Sequence, residues 1–194
     1  DHVNVLTVSD NGKQVVYVYS TASKLPQYYI ADLEQLDSEL RFANERELVQ
    51  LNEKLQKKPI TRAEVIRWAG YNGDEVTGLL YYPENYREGR RYPLMLSIHG
   101  GPAGVDLDQW SERWSTYPQL LAQRGAFVLK PNYHGSSNHG LEFVESIKKN
   151  YYTPEITDIL AGIELLDARG LIDRDSLGAM GWSNGAILTT MLTV

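Results

Sequence analysis

The pentapeptide Gly181-Trp182-Ser183-Asn184-Gly185 constrains this chain more than any other stretch. It closes a run that reads as a buried strand, Leu177 to Trp182, and opens a helical pattern from Asn184 onward, the strand-turn-helix setting of a nucleophile elbow. A side chain at either flanking glycine would block so tight a bend, and the bend lifts the Ser183 hydroxyl clear of the sheet at the N-terminus of the next helix. Glycine and serine are common enough that G-x-S-x-G arises by chance in a chain of this length about one time in twenty, so the motif needs support from elsewhere.

Support comes from Leu94-Met95-Leu96-Ser97-Ile98, a short apolar strand that runs into His99-Gly100-Gly101-Pro102. Such a glycine-rich loop supplies a backbone N–H to an oxyanion hole. Between the two motifs, Thr116 is expected to cap a helix with Pro118 in its first turn and Gly125 as its stop, after which Ala126 to Leu129 read as a strand. Thr153 is expected to cap a longer helix, with Pro154 at the first position and Ile156, Ile159, Leu160, Ile163 and Leu166 at helical spacing. Strand and helix therefore alternate, which predicts an α/β fold with a doubly wound, mostly parallel sheet. Open sheets of this kind bind ligands at the carboxyl ends of their strands, so both loops are expected to face one crevice.

His99-Gly100-Gly101-Pro102, Pro131-Asn132-Tyr133-His134-Gly135-Ser136-Ser137 and Gly181-Trp182-Ser183-Asn184-Gly185, in that order, resemble the prolyl oligopeptidase family of serine peptidases, with acylaminoacyl-peptidases and dipeptidyl-peptidases as the nearest branches. The resemblance is firm over about residues 60 to 194 and looser before them. It implies a β-propeller in front of an α/β-hydrolase domain, and hydrolysis of short peptides. Two positions depart from the family pattern: Ala186 replaces a further glycine, and His134 stands where an arginine is common.

Upstream, Val3 to Val8, Gln14 to Tyr19 and Tyr28 to Ala31 read as short strands separated by turn residues such as Ser9-Asp10-Asn11-Gly12. This meander is similar to a propeller blade, and one blade cannot bury both of its faces alone. The bland alternative is a small hairpin appendage. Residues 40 to 60 read as one more strand plus a link, so residues 1–59 are expected to be the end of a propeller and residues 60–194 the first part of an incomplete α/β-hydrolase domain. Arg62 to Trp68 and Val76 to Tyr82 are its first two strands, joined at Asn72-Gly73-Asp74.

A net charge of −6 without a basic stripe argues against a nucleic-acid partner. No run is apolar and long enough for a membrane span. Cysteine is absent, which excludes disulfides, metal thiolates and thiol nucleophiles and leaves the compartment unread, whether cytoplasmic, periplasmic or secreted. Neither a cofactor nor a metal is expected. The chain opens on Asp1 rather than Met, as a processed or excised piece would.

Ser183 is the expected nucleophile, with the backbone N–H groups of Asn184 and Gly101 as the expected oxyanion hole. The amide of Asn184 is expected to make only a local hydrogen bond. In α/β-hydrolases an acid and then a histidine follow the serine along the chain, yet only Met191, Leu192, Thr193 and Val194 come near the end here. His2 lies in the blade, His99 is expected to orient the glycine loop, and His134 and His139 fall in the wrong chain order. A second chain or a missing C-terminal segment is therefore expected to supply both residues, and the isolated chain to be inactive. Three readings stay open: a peptidase acting on short peptides, an esterase or lipase-like hydrolase, and an inert fragment or scaffold. Trp110, Trp114, Tyr117, Tyr133 and Trp182 line a pocket or, by the blander reading, fill core; Asp158 is expected to be solvated or capping; Tyr71, Tyr81, Tyr82 and Tyr86 are expected to be structural.

Overall fold

A computed structural model describes residues 2–193; nothing is described of the His2 and Val3 side chains, and Asp1 and Val194 lie outside the described residues. The chain forms two compact units, residues 1–60 with 108–110, and residues 61–107 with 111–194.

The first unit is an antiparallel meander of β1 (His2–Val8), β2 (Gln14–Thr21), β3 (Lys24–Leu36) and β4 (Glu39–Val49), ordered as in the chain. Val15, Tyr17 and Ala31 form its small core, with Tyr19, Tyr29, Leu33 and Phe42 packed around them. The Tyr17 hydroxyl donates to Glu45. Val5, Leu6 and Val8 on β1 and Leu40, Leu48 and Val49 on β4 stand exposed, because one four-stranded meander has too little facing surface to bury both sides. A single helical turn, α1 (Glu53–Gln56), follows.

The second unit is built on β5 (Ala63–Ala69), β6 (Glu75–Tyr81), β7 (Tyr92–Ile98), β8 (Phe127–Asn132) and β9 (Ile172–Gly181), in the order β5-β6-β8-β7-β9. β5–β6 and β6–β8 pair antiparallel, while β7 pairs parallel with both β8 and β9. Parallel neighbours need crossovers. These are supplied by α2 (Pro118–Gln123), between β7 and β8, and by α3 (Leu141–Glu145) and α4 (Thr153–Ala168), between β8 and β9. α5 (Asn184–Met191) follows β9. β8 is buried along its whole length, as a strand covered on both faces must be.

One apolar cluster holds sheet and helices together: Trp68, Leu80, Leu94, Leu96, Ile98, Phe127 and Leu129 from the strands, Ile159, Ile163 and Leu166 from α4, and Leu188 from α5. Gly162 lets α4 approach closely, since a Cβ there would lie 3.1 Å from the Trp68 ring and 3.2 Å from Leu129.

Three sequence expectations are corrected. Tyr117, not Thr116, is the N-cap of α2, and Thr116 instead exchanges backbone hydrogen bonds with Arg113. Tyr152 (φ 78°), not Thr153, precedes α4, which puts Thr153 inside the helix with its carbonyl accepting from the Thr157 hydroxyl. Leu160 is exposed although it fits the apolar period, because the face against the sheet is narrower than the sequence stripe.

Candidate active site

The last residues of two neighbouring parallel strands set the site. Ile98 of β7 and Gly181 of β9 are register partners, so the chain leaves the sheet at the same level into His99-Gly100-Gly101-Pro102 on one strand and Trp182-Ser183-Asn184 on the other. A Cβ on Gly100 would lie 2.6 Å from the Trp182 carbonyl oxygen and 3.0 Å from the Ser183 Cβ. The glycine loop therefore rests directly against the bend.

The bend is as tight as the motif requires. Ser183 has φ 57° and ψ −123°, a backbone conformation that residues with a Cβ adopt only at a strain, and such strain gathers at functional sites. A Cβ on Gly181 would meet the Gly185 carbonyl oxygen at 2.3 Å, and one on Gly185 would meet the Ile98 carbonyl oxygen at 2.1 Å. Glycine is required at both positions by the room between backbones. Ser183 is exposed at the start of α5, and among the described residues its hydroxyl has no hydrogen-bond partner.

Among the described residues, the N–H of Asn184 and the N–H of Gly101 likewise donate to no protein acceptor. The first belongs to the first turn of α5, where amides have no partner within the helix and the helix dipole favours negative charge. The second belongs to a turn that only glycine fits: Gly101 has φ 132°, and a Cβ there would lie 2.5 Å from the Gly104 nitrogen.

Both ring nitrogens of His99 meet groups other than Ser183. Its Nδ1 is 3.0 Å from the Gly100 carbonyl, its Nε2 is 3.0 Å from the Ser136 Oγ, and its ring stacks on Tyr133 at 4.4 Å. Burial lowers its pKa, so at neutral pH the ring is uncharged and fixed within the loop. His139 Nε2 meets the Thr77 hydroxyl at 3.0 Å.

His134 and Asp158 overturn the reading of Asp158 as a solvated or capping group. Asp158 is fully buried and accepts from the Tyr71 N–H (2.8 Å) and the His134 N–H (2.7 Å), while His134 Nδ1 lies 2.6 Å from its Oδ2. Asp74 meets the other ring nitrogen at 3.2 Å. Burial opposes the charge on His134, but the two carboxylates outweigh it and raise its pKa. The sequence signal was the family arginine position that His134 occupies; what it pairs with was hidden 24 residues away on α4.

The amide of Asn184 is not locally bonded either: its Nδ2 donates to the Tyr133 hydroxyl at 3.3 Å, 51 residues earlier. Tyr133 is fully buried, whereas Trp114 and Trp182 are 83% and 67% exposed and meet edge to face at 5.9 Å, so these two are not core. Trp110 falls in the first unit. Tyr81 and Tyr82 are buried, with Tyr86 packed beside them. Sequence reasoning also missed Lys130, buried in β8 and paired with Asp106 at 2.7 Å. Among the described residues no group of three or more His, Asp or Glu side chains is placed to hold a metal ion, and no helix is long and apolar enough to cross a membrane.

A serine exposed on a strained strand-to-helix bend, at the carboxyl edge of a wound sheet and against a glycine loop, has the geometry of a nucleophile elbow. Residues 112–194 match the model of the prolyl oligopeptidase family. The chain is 39% identical over 109 residues to dipeptidyl-peptidase 4 of Giardia intestinalis, covering 55% of this chain and 14% of that protein. It is 34% identical over 118 residues to dipeptidyl-peptidase 5 of Aspergillus oryzae, covering 60% of this chain and 16% of that protein. The fold is shared with an acylaminoacyl peptidase of Pyrococcus horikoshii at a TM-score of 0.74 and 24% identity, over 95% of this chain and 28% of that one. The chain thus spans less than a third of the length of the relatives it matches.

Proposed function

We propose that this chain carries the nucleophile and oxyanion half of an α/β-hydrolase domain in a serine peptidase that cleaves short peptides, with a propeller blade in its first unit. Ser183 Oγ attacks the scissile carbonyl as a base takes its proton, and the C–N bond then breaks as the leaving amine is protonated. Water releases the acyl group from Ser183 by the same route. The N–H groups of Asn184 and Gly101 receive the charge that develops on the carbonyl oxygen. The acid and the base lie outside these residues: His99, His134 and His139 are each engaged elsewhere.

The observation that carries this reading is the exposed Ser183 at φ 57°, with Gly100 packed against its Cβ. The test is labelling by a fluorophosphonate, with Ser183→Ala as control. The isolated chain is expected to stay unlabelled, because nothing activates its hydroxyl, and the protein with its triad complete is expected to label at Ser183 and to favour peptides over short esters. Absence of labelling in the complete protein overturns the reading in favour of a scaffold; a preference for esters overturns its peptidase part.

A further inference from the structure

Tyr133 touches both loops of the site without being exposed to either crevice or solvent. Its hydroxyl donates to the His99 carbonyl at 2.8 Å and accepts from Asn184 Nδ2 at 3.3 Å. One oxygen therefore joins the residue just before the glycine loop to the residue just after the nucleophile. The ring is fully buried and stacked on His99, with the planes 17° apart. Its own carbonyl accepts from Ser136 Oγ at 2.6 Å, and Ser136 Oγ meets His99 Nε2 at 3.0 Å, which closes a ring of contacts around the loop. Burial pushes the phenol up to about 12, so it remains a donor throughout the working range of a hydrolase.

The two unpartnered N–H groups belong to Asn184 itself and to Gly101, two residues beyond His99. Each sits on a loop that leaves a different strand, and parallel register fixes their level but not their separation. Oxyanion donors work only at hydrogen-bonding distance from the same developing charge, so their spacing must be held before the reaction. A stiff aromatic ring with one hydroxyl bonded to both sides does this at no cost in side-chain freedom at the moment of reaction. We infer that Tyr133 and the Asn184 side chain are positioning residues: together they form a strut that sets the distance between the two backbone donors. This rests on the peptidase reading above and adds to it two side chains that touch no substrate.

The experiment compares Tyr133→Phe, Asn184→Ala and the double variant in the complete protein, by peptide kinetics and by the rate of fluorophosphonate labelling. Both substitutions keep the backbone N–H of residue 184. The expected result is a loss in kcat of about 10- to 100-fold in each single variant, with KM within about twofold of the parent and a double variant no worse than the worse single, as for groups acting as one unit. A general loosening of the fold would instead lower the melting temperature and leave kcat of the folded fraction intact. If Tyr133→Phe fails to fold, Asn184→Ala carries the test from the other end of the strut. A folded variant with unchanged kcat, or losses that multiply in the double variant, overturns the strut alone. A parent protein that does not label at Ser183 overturns the peptidase reading, and the strut's role with it.

Discussion

Gly100 and Ser183 are separated by less than a side chain's width: a Cβ on the glycine would lie 3.0 Å from the Cβ of the serine and 2.6 Å from the Trp182 carbonyl oxygen. Backbone on one strand's loop is thereby pressed against the proposed nucleophile on the next. Gly100→Ala is expected to displace the loop, and loss of one oxyanion donor costs on the order of 10²- to 10³-fold in kcat. The check is peptide kinetics beside a melting curve; a folded variant with parental kcat would show that the contact is incidental.

Stability should depend on pH through His134. Its folded pKa is raised above the unfolded value, so its contribution is complete below about pH 6.5 and is lost as pH rises through the raised value. The groups around it are Asp158 on α4, Asp74 and Tyr71 between β5 and β6, and Phe143 and His139 in the segment after β8. His134→Arg keeps a cation beside both carboxylates that does not titrate. Melting temperatures between about pH 6 and pH 9 should fall for the parent relative to His134→Arg as pH rises. Parallel curves for the two proteins would refute the pairing.

Glu155 is fully buried near the start of α4, and although the backbone N–H groups of Tyr152 and of Glu155 itself favour its carboxylate, burial outweighs them and raises its pKa. A raised carboxylate pKa costs stability once pH exceeds the unfolded value of about 4.3. Glu155→Gln is therefore expected to raise the melting temperature at pH 8 and to leave it nearly unchanged at about pH 4. No gain at pH 8 would mean that the carboxylate is satisfied in solution.

Lys130 and Asp106 form a buried pair, with the ammonium also donating to Ser111 Oγ at 3.2 Å. Removing one partner strands the other charge, so Lys130→Met should destabilise the fold by about 3–5 kcal/mol. Adding Asp106→Leu should restore much of that loss. Denaturant titration of the three variants decides, and a single variant as stable as the parent would show that Asp106 reaches water.

What the chain's order of residues determined by itself is local: the glycines on either side of Ser183, the strand before it and the helix after it, and the alternation of strand and helix that implied a wound sheet. These follow from steric and periodic rules that act over a few residues. Tertiary structure alone decided which distant groups meet. The register of Ile98 with Gly181 places two loops, 83 residues apart, side by side. The Asn184 amide finds Tyr133 rather than a neighbour, and Asp158 turns inward because a histidine ring and two backbone amides there satisfy its charge. Local sequence cannot reveal such partners, because burial of a polar group is tolerated only where the fold happens to supply its hydrogen bonds.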